Sequence, residues 1–159
     1  MTESSPAPRP TRGRIAGIDY GTVRLGIAVS NPDRTIASPL ESYTRQSREQ
    51  DTRRMQRLAK EEQLTLFVVG LPVHLDGRES QKSNEARQFG QWLAGVTGVP
   101  VEFFDERFTS SEAEQFLTAA KMTSKRRKQR IDMVAAQIML SAFLEAGGQG
   151  QENPGGLDD

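Results

Sequence analysis

Two short, almost unbroken apolar runs constrain this chain more than any other feature. Leu64–Val69 (LTLFVV) is followed by Gly70-Leu71-Pro72, and Val99–Phe104 (VPVEFF) by Asp105-Glu106. A strand that is apolar on both faces is buried on both faces, as in a parallel sheet covered by helices. Between the two runs, Glu79–Val96 carries Ala86, Phe89, Trp92 and Leu93 at helical spacing. Strand, helix, strand is the connection that a parallel pair requires.

The segment before this unit reads differently. Arg14–Asp19 and Val23–Ser30 are β-rich, and Tyr20-Gly21-Thr22 between them can close a hairpin. Asn31-Pro32-Asp33 reads as a turn and Thr35–Tyr43 as a third strand. Ser47–Glu62 has helical spacing, with Met55, Leu58 and Ala59 inward and Arg48, Arg53, Arg54, Arg57 and Lys60 on other faces. Beyond the second apolar run, a helix is expected over Ser110–Ala120, capped by Ser110 or Ser111 with Glu114 completing a capping box. A last helix is expected over Ser124–Glu145. An antiparallel meander followed by a parallel pair with helical crossovers predicts an α/β fold, a mixed sheet with helices packed on it.

The chain has 159 residues, enough for one domain with its own core. That domain is expected over 13–146. Residues 1–12 are rich in Pro, Ser and Thr, and 147–159 are Gly-rich and acidic, so both are expected to be tails without fixed structure. The absence of cysteine excludes a disulfide framework, a thiolate metal site and a cysteine nucleophile. A single histidine excludes a multi-histidine metal site within one chain. A bound metal must then rely on carboxylates and water, which favours Mg²⁺ or Mn²⁺. No stretch approaches the roughly 20 apolar residues of a membrane span, and the first residues lack the apolar core of a secretory signal. A cytoplasmic location is the expectation.

Three acidic residues stand in unusual places. Asp19 ends the first apolar strand, Glu106 follows the last one, and Asp132 is the only charge within Ile131–Leu144. Ligands of open α/β sheets bind beyond the carboxyl ends of the strands, where Asp19 and Glu106 fall. If the last helix packs nearby, Asp132 completes a cluster. Converging carboxylates repel, and stay ionised together only when cations neutralise them. Such a cluster suits one or two Mg²⁺ ions in phosphodiester cleavage, chemistry that needs neither histidine nor cysteine. Plainer accounts stand beside this one. Asp19 precedes a turn, where aspartate is common. Glu106 taken alone is explained by a surface ion pair with Arg107. Asp132 can cap a helix starting near Ile131, but Thr123 or Ser124 is the better cap; that places Asp132 in the third turn, where an unpaired buried carboxylate is costly.

Lys121–Arg130 carries six basic residues and no acidic one. Cations at a helix N-terminus oppose its dipole. A bound polyanion offsets that cost, and nucleic acid is favoured over a solvated patch. The arginines at 45, 48, 53, 54 and 57 alternate with Glu49 and Asp51 and read as a solvated helix face. His74 is assigned no role, and Trp92 is read as core. The formal net charge of zero argues weakly against nucleic acid until it is seen as a sum over a basic run, an acidic tail and the proposed metal ligands.

The motifs together resemble the YqgF family, also called RuvX, described as Holliday junction resolvases and as nucleases of precursor 16S ribosomal RNA. Gly17-Ile18-Asp19-Tyr20-Gly21 with Arg24, Gly26 and Ala28 is similar to the family's opening block. Val68-Val69-Gly70-Leu71-Pro72 with Gly77 is similar to its second, and Asp105-Glu106-Arg107-Phe108-Thr109-Ser110 to its third, where Phe108 replaces the usual leucine. Lys125 to Lys128 with Asp132, Ala135 and Ala136 is similar to its fourth. The resemblance covers about residues 14–145. It implies a ribonuclease H-like fold, a five-stranded mixed sheet flanked by helices. It also implies that Asp19, Glu106 and Asp132 are the catalytic, metal-binding carboxylates. Arg24, Arg107, Lys125, Arg126, Arg127, Lys128 and Arg130 are then expected to hold phosphates.

The leading expectation is a metal-dependent nuclease of structured nucleic acid that processes precursor rRNA, with a DNA junction resolvase as the alternative. A non-catalytic RNA- or ribosome-associated factor is disfavoured because all three carboxylates are present. An ATP-dependent phosphotransferase is suggested by Asp19-Tyr20-Gly21-Thr22, but lacks a second phosphate loop and a second domain. Either a monomer or a homodimer is compatible with the sequence.

Overall fold

A computed structural model of the chain describes residues 12–72, 81–105 and 124–147. Five strands form one sheet in the order β3-β2-β1-β4-β5: β1 (Arg14–Asp19), β2 (Arg24–Ser30), β3 (Ala37–Thr44), β4 (Leu64–Leu71) and β5 (Val101–Asp105). β1 pairs antiparallel with β2, and β2 with β3. On its other side β1 pairs parallel with β4, and β4 with β5. The expected mixed sheet, meander first and parallel pair second, is present.

Helices cover both faces. On one face, α1 (Arg48–Glu61) and α2 (Gln81–Thr97) bury Met55, Leu58, Ala86, Phe89 and Leu93 against Ala16, Ile18, Ile27, Phe67 and Val69. On the other, α3 (Ser124–Glu145) buries Ala136, Met139, Leu140 and Phe143 against Ile15, Ala28, Val68 and Phe104. Successive residues of β4 thus enter opposite cores, which is why its sequence is apolar without alternation.

Element ends depart from the sequence expectation for local reasons. β3 begins at Ala37 rather than Thr35, because the Asn31 side-chain oxygen accepts from the amides of Thr35 and Ile36 and holds them in the turn. β5 begins at Val101 rather than Val99. Pro100 has no N–H to give a ladder, although its carbonyl accepts from Phe67 N. α1 opens on a capping box in which Ser47 accepts from the Gln50 amide and the Gln50 side chain accepts from Ser47 N, as a Ser-x-x-Gln spacing favours. The helix expected over 110–120 and the two expected tails lie outside the described residues, except at Arg12 and Gly147.

Candidate active site

Asp19 is the last residue of β1, and strand alternation fixes the face it presents. Ile15 belongs to the core under α3, and a β-carbon at Gly17 would lie 3.0 Å from Leu140 Cβ and 3.5 Å from the Ala136 carbonyl. Asp19, two residues further, shares this face. Its cross-strand partner is Gly26, whose partner on the next strand is Ser42. Directly paired residues point to the same side, about 4.5–5.5 Å apart between α-carbons. Asp19, Gly26 and Ser42 therefore form a row across the sheet beneath α3.

Asp132 comes down onto the middle of that row. A β-carbon at Gly26 would lie 2.0 Å from the Asp132 carbonyl oxygen and 3.1 Å from its α-carbon. Only glycine lets the helix backbone approach the strand this closely. The structure thus brings Asp132, 113 positions along the chain from Asp19, to the strand position beside it. The Asp132 carboxylate is half-buried and its Oδ2 accepts two hydrogen bonds, from Arg24 Nε at 2.7 Å and from Ser42 Oγ at 3.0 Å. No bond to Oδ1 comes from a described residue. The carboxylate that seemed costly as an isolated buried charge is thus neutralised by Arg24.

Arg24, at the start of β2, is expected from the sequence to hold phosphate, and in the structure its Nε serves Asp132. Arg126 and Arg130 are exposed on the first two turns of α3, one helical turn apart on the same side. Lys125, Arg127 and Lys128 lie on the same two turns. Glu106 and Arg107 lie outside the described residues, as do Phe108, Gly77 and His74. Among the described residues no three Asp, Glu, His or Cys side chains cluster as a metal site would require. Asp19 and Asp132 each bring a carboxylate to this row, and carboxylate oxygens are hard donors of the kind a small divalent cation takes.

Ser42 was not expected at the site. Its only sequence signal is its place in a strand, since the pairing that puts it opposite Gly26 is set by register. Behind the sheet's other face, the Tyr43 hydroxyl donates to Asp51 Oδ1 at 2.7 Å, and Gln46 N donates to the same oxygen at 2.9 Å. Burial, reinforced by the Asp51 carboxylate, pushes the Tyr43 phenol up to about 12. Arg54 pairs with Glu41, and this hydrogen bond raises the guanidinium pKa further despite burial. Arg48, Arg53 and Arg57 are exposed, as a solvated face requires, whereas Arg45 and Arg54 are half-buried and committed to the fold, against that reading. Trp92, expected in the core, is only half-buried and lines an open groove with Tyr20 and Phe89.

Comparison with known proteins places this geometry. The sequence model of the RuvX family, described as Holliday junction resolvase, matches residues 13–146. A Rhodopirellula baltica protein named as a pre-16S rRNA nuclease is 50% identical over 86% of this chain and 79% of its own length. A protein of the same name from Koribacter versatilis is 37% identical over 92% of this chain and 96% of its own. Among solved structures, Thermus thermophilus RuvC in complex with a Holliday junction substrate matches with a TM-score of 0.51 at 18% identity, covering 86% of this chain and 96% of that one. The last is a likeness of fold.

Proposed function

The chain belongs to the RuvX family, and from that membership we propose that it is a metal-dependent nuclease that hydrolyses phosphodiester bonds in the precursor of 16S rRNA. The observation that carries the reading is the seating of Asp132 on Gly26, beside Asp19 at the carboxyl end of β1. Two acidic residues from distant parts of the chain come to neighbouring positions at a strand end, where open α/β sheets bind their ligands.

Asp19 and Asp132 would hold the cation, with Glu106 as third ligand. The chemistry such a bound cation, Mg²⁺ or Mn²⁺, would supply is activation of water at neutral pH and stabilisation of charge on the leaving oxygen. The protein's own residues do the rest. Ser42 and Arg24 fix the Asp132 carboxylate through Oδ2. The basic residues of the first turns of α3, together with Arg107, would bind substrate phosphates. Lys125, Arg126, Arg127, Lys128 and Arg130 sit at the positive end of the helix dipole, and both attract a polyanion. The relatives' name favours RNA over a DNA junction. In the described residues no helix is long and apolar enough to cross a membrane.

The test is cleavage of precursor 16S rRNA and of a four-way DNA junction by the purified protein, in Mg²⁺ and in Mn²⁺, with Asp19→Asn as control. The expected result is metal-dependent cutting of the RNA that Asp19→Asn abolishes while retaining RNA binding. Preferential cutting of the junction would establish a resolvase instead. An Asp19→Asn protein that cuts at the wild-type rate would overturn the assignment of the site.

A further inference from the structure

The groove on the opposite face of the sheet begins one residue after Asp19. It encloses about 430 Å³ between the β1–β2 loop, the segment leading into α1, and α2. Volumes of this order are typical of small-ligand sites. Its floor is an aromatic ladder. The Tyr20 and Phe89 ring centroids are 5.2 Å apart, and those of Phe89 and Trp92 are 5.4 Å apart. The Arg45 guanidinium lies 5.3 Å from the Tyr20 centroid and 5.6 Å from that of Phe89, and its Nη1 donates to the Gly21 carbonyl at 3.0 Å. The rings and the cation are thus held in place before anything binds.

We propose that this groove seats an unpaired nucleobase of the RNA strand whose phosphodiester lies at Asp19, an inference that rests on the nuclease reading. Half-buried rings such as those of Tyr20 and Trp92, with an arginine beside them, are what unpaired bases bind, and the buried Phe89 supports both. Hydrogen-bonding groups stand at the rim: the Gln88 amide and the Glu85 carboxylate, the latter an acceptor for a base amino group. Arg48, the first residue of α1, lines the same rim and supplies a cation for the adjoining phosphate. Asp51, the other acid lining the groove, is occupied by the Tyr43 hydroxyl and Gln46 N. The placement follows from strand geometry. Adjacent residues of an extended chain point to opposite faces, so Asp19 serves the α3 side while Tyr20 serves the groove. A single strand crossing this edge of the sheet can engage both, whereas a continuous duplex has no base to insert. The groove therefore selects an unpaired residue next to the cut.

Trp92 is the only tryptophan in the chain, so its fluorescence reports on the groove alone. Asp19→Asn protein, full length, is titrated with a six-nucleotide single-stranded RNA, with the same oligomer carrying abasic sites, and with its duplex. Stacking predicts quenching by the single strand and little by the other two. With a dye-labelled oligomer, anisotropy should show binding weakened about tenfold or more by Trp92→Ala, and largely restored by Trp92→Phe. Gln88→Ala, a surface change, gives a second reading should Trp92→Ala fail to fold. Equal quenching by the abasic oligomer, or affinity unchanged in both Trp92→Ala and Gln88→Ala, overturns the inference. If wild-type protein cuts precursor rRNA while those results hold, the groove assignment alone has failed. Base-dependent quenching in a wild-type protein that cuts no RNA supports the groove and refutes the nuclease reading.

Discussion

The main chain of Asp132 rests on Gly26: a β-carbon at position 26 would lie 2.0 Å from the Asp132 carbonyl oxygen. Because Gly26 is the cross-strand partner of Asp19, this one contact sets how α3 delivers its carboxylate to the end of β1. Gly26→Ala would push against backbone, which cannot rotate away as a side chain can. We expect it to lower unfolding free energy by about 3 kcal/mol, the upper part of the usual range for overpacking, and to abolish cleavage. Urea unfolding read by circular dichroism measures the first and the rRNA cleavage assay the second. A variant of wild-type stability would contradict this packing of α3.

Arg24 donates to Asp132 Oδ2 at 2.7 Å, with both side chains partly exposed. Arg24→Ala should destabilise the metal-free protein by about 1.5–2 kcal/mol, the lower part of the range for hydrogen bonds to charged groups. The carboxylates it leaves behind should be relieved by a cation, so added Mg²⁺ should recover part of the loss. Chemical unfolding with and without Mg²⁺ checks this. Equal losses in both conditions would separate the ion pair from the metal site.

The Tyr43 phenol is pushed up to about 12 by burial and by its hydrogen bond to Asp51. In the unfolded chain it titrates near 10. Between these values the folded state holds the proton more tightly than the unfolded state, so stability falls with rising pH. The Tyr43 contribution is complete below pH 10 and is lost as pH rises towards 12. Tyr43→Phe should be less stable than wild type at neutral pH by about 1–2 kcal/mol and should show a shallower decline above pH 10. Unfolding midpoints at pH 8 and pH 11 measure both effects.

Leu140 is fully buried and its β-carbon lies 3.0 Å from the place a Gly17 β-carbon would take. Leu140→Ala removes packing between α3 and the centre of the sheet and should cost about 2–5 kcal/mol. Since Asp132 reaches the site only through this helix, cleavage should fall together with stability and recover on cooling. Persistent full activity at a midpoint of unfolding lowered to this extent would argue against that coupling.

Much of the architecture was readable along the chain because its causes are local. The apolar run at Leu64–Val69 announces a strand covered on both faces, and the spacing of Met55 and Leu58 announces a helix with one buried side. Element ends were less legible. The start of β3 depends on an Asn31 side chain that bonds the amides of Thr35 and Ile36, and that of β5 on the missing N–H of Pro100. Trp92 has the same helical spacing as its buried neighbours. It lies beside the buried stripe of Ala86, Phe89 and Leu93, and how far it is covered depends on how α2 is turned against the sheet, which spacing does not specify.

The sequence by itself determined the elements, their order and the candidates: Asp19 at a strand end, Glu106 after the last strand and Asp132 alone in an apolar helix. These follow from short-range periodicity and from the scarcity of charge in buried segments. Only the tertiary structure decided that Asp19 and Asp132 come to neighbouring positions, that Ser42 and Arg24 hold the second carboxylate, and that Gly26 is the seat of the helix. Those relationships depend on strand register and on how α3 crosses β2, and both are set by packing between residues far apart in the chain.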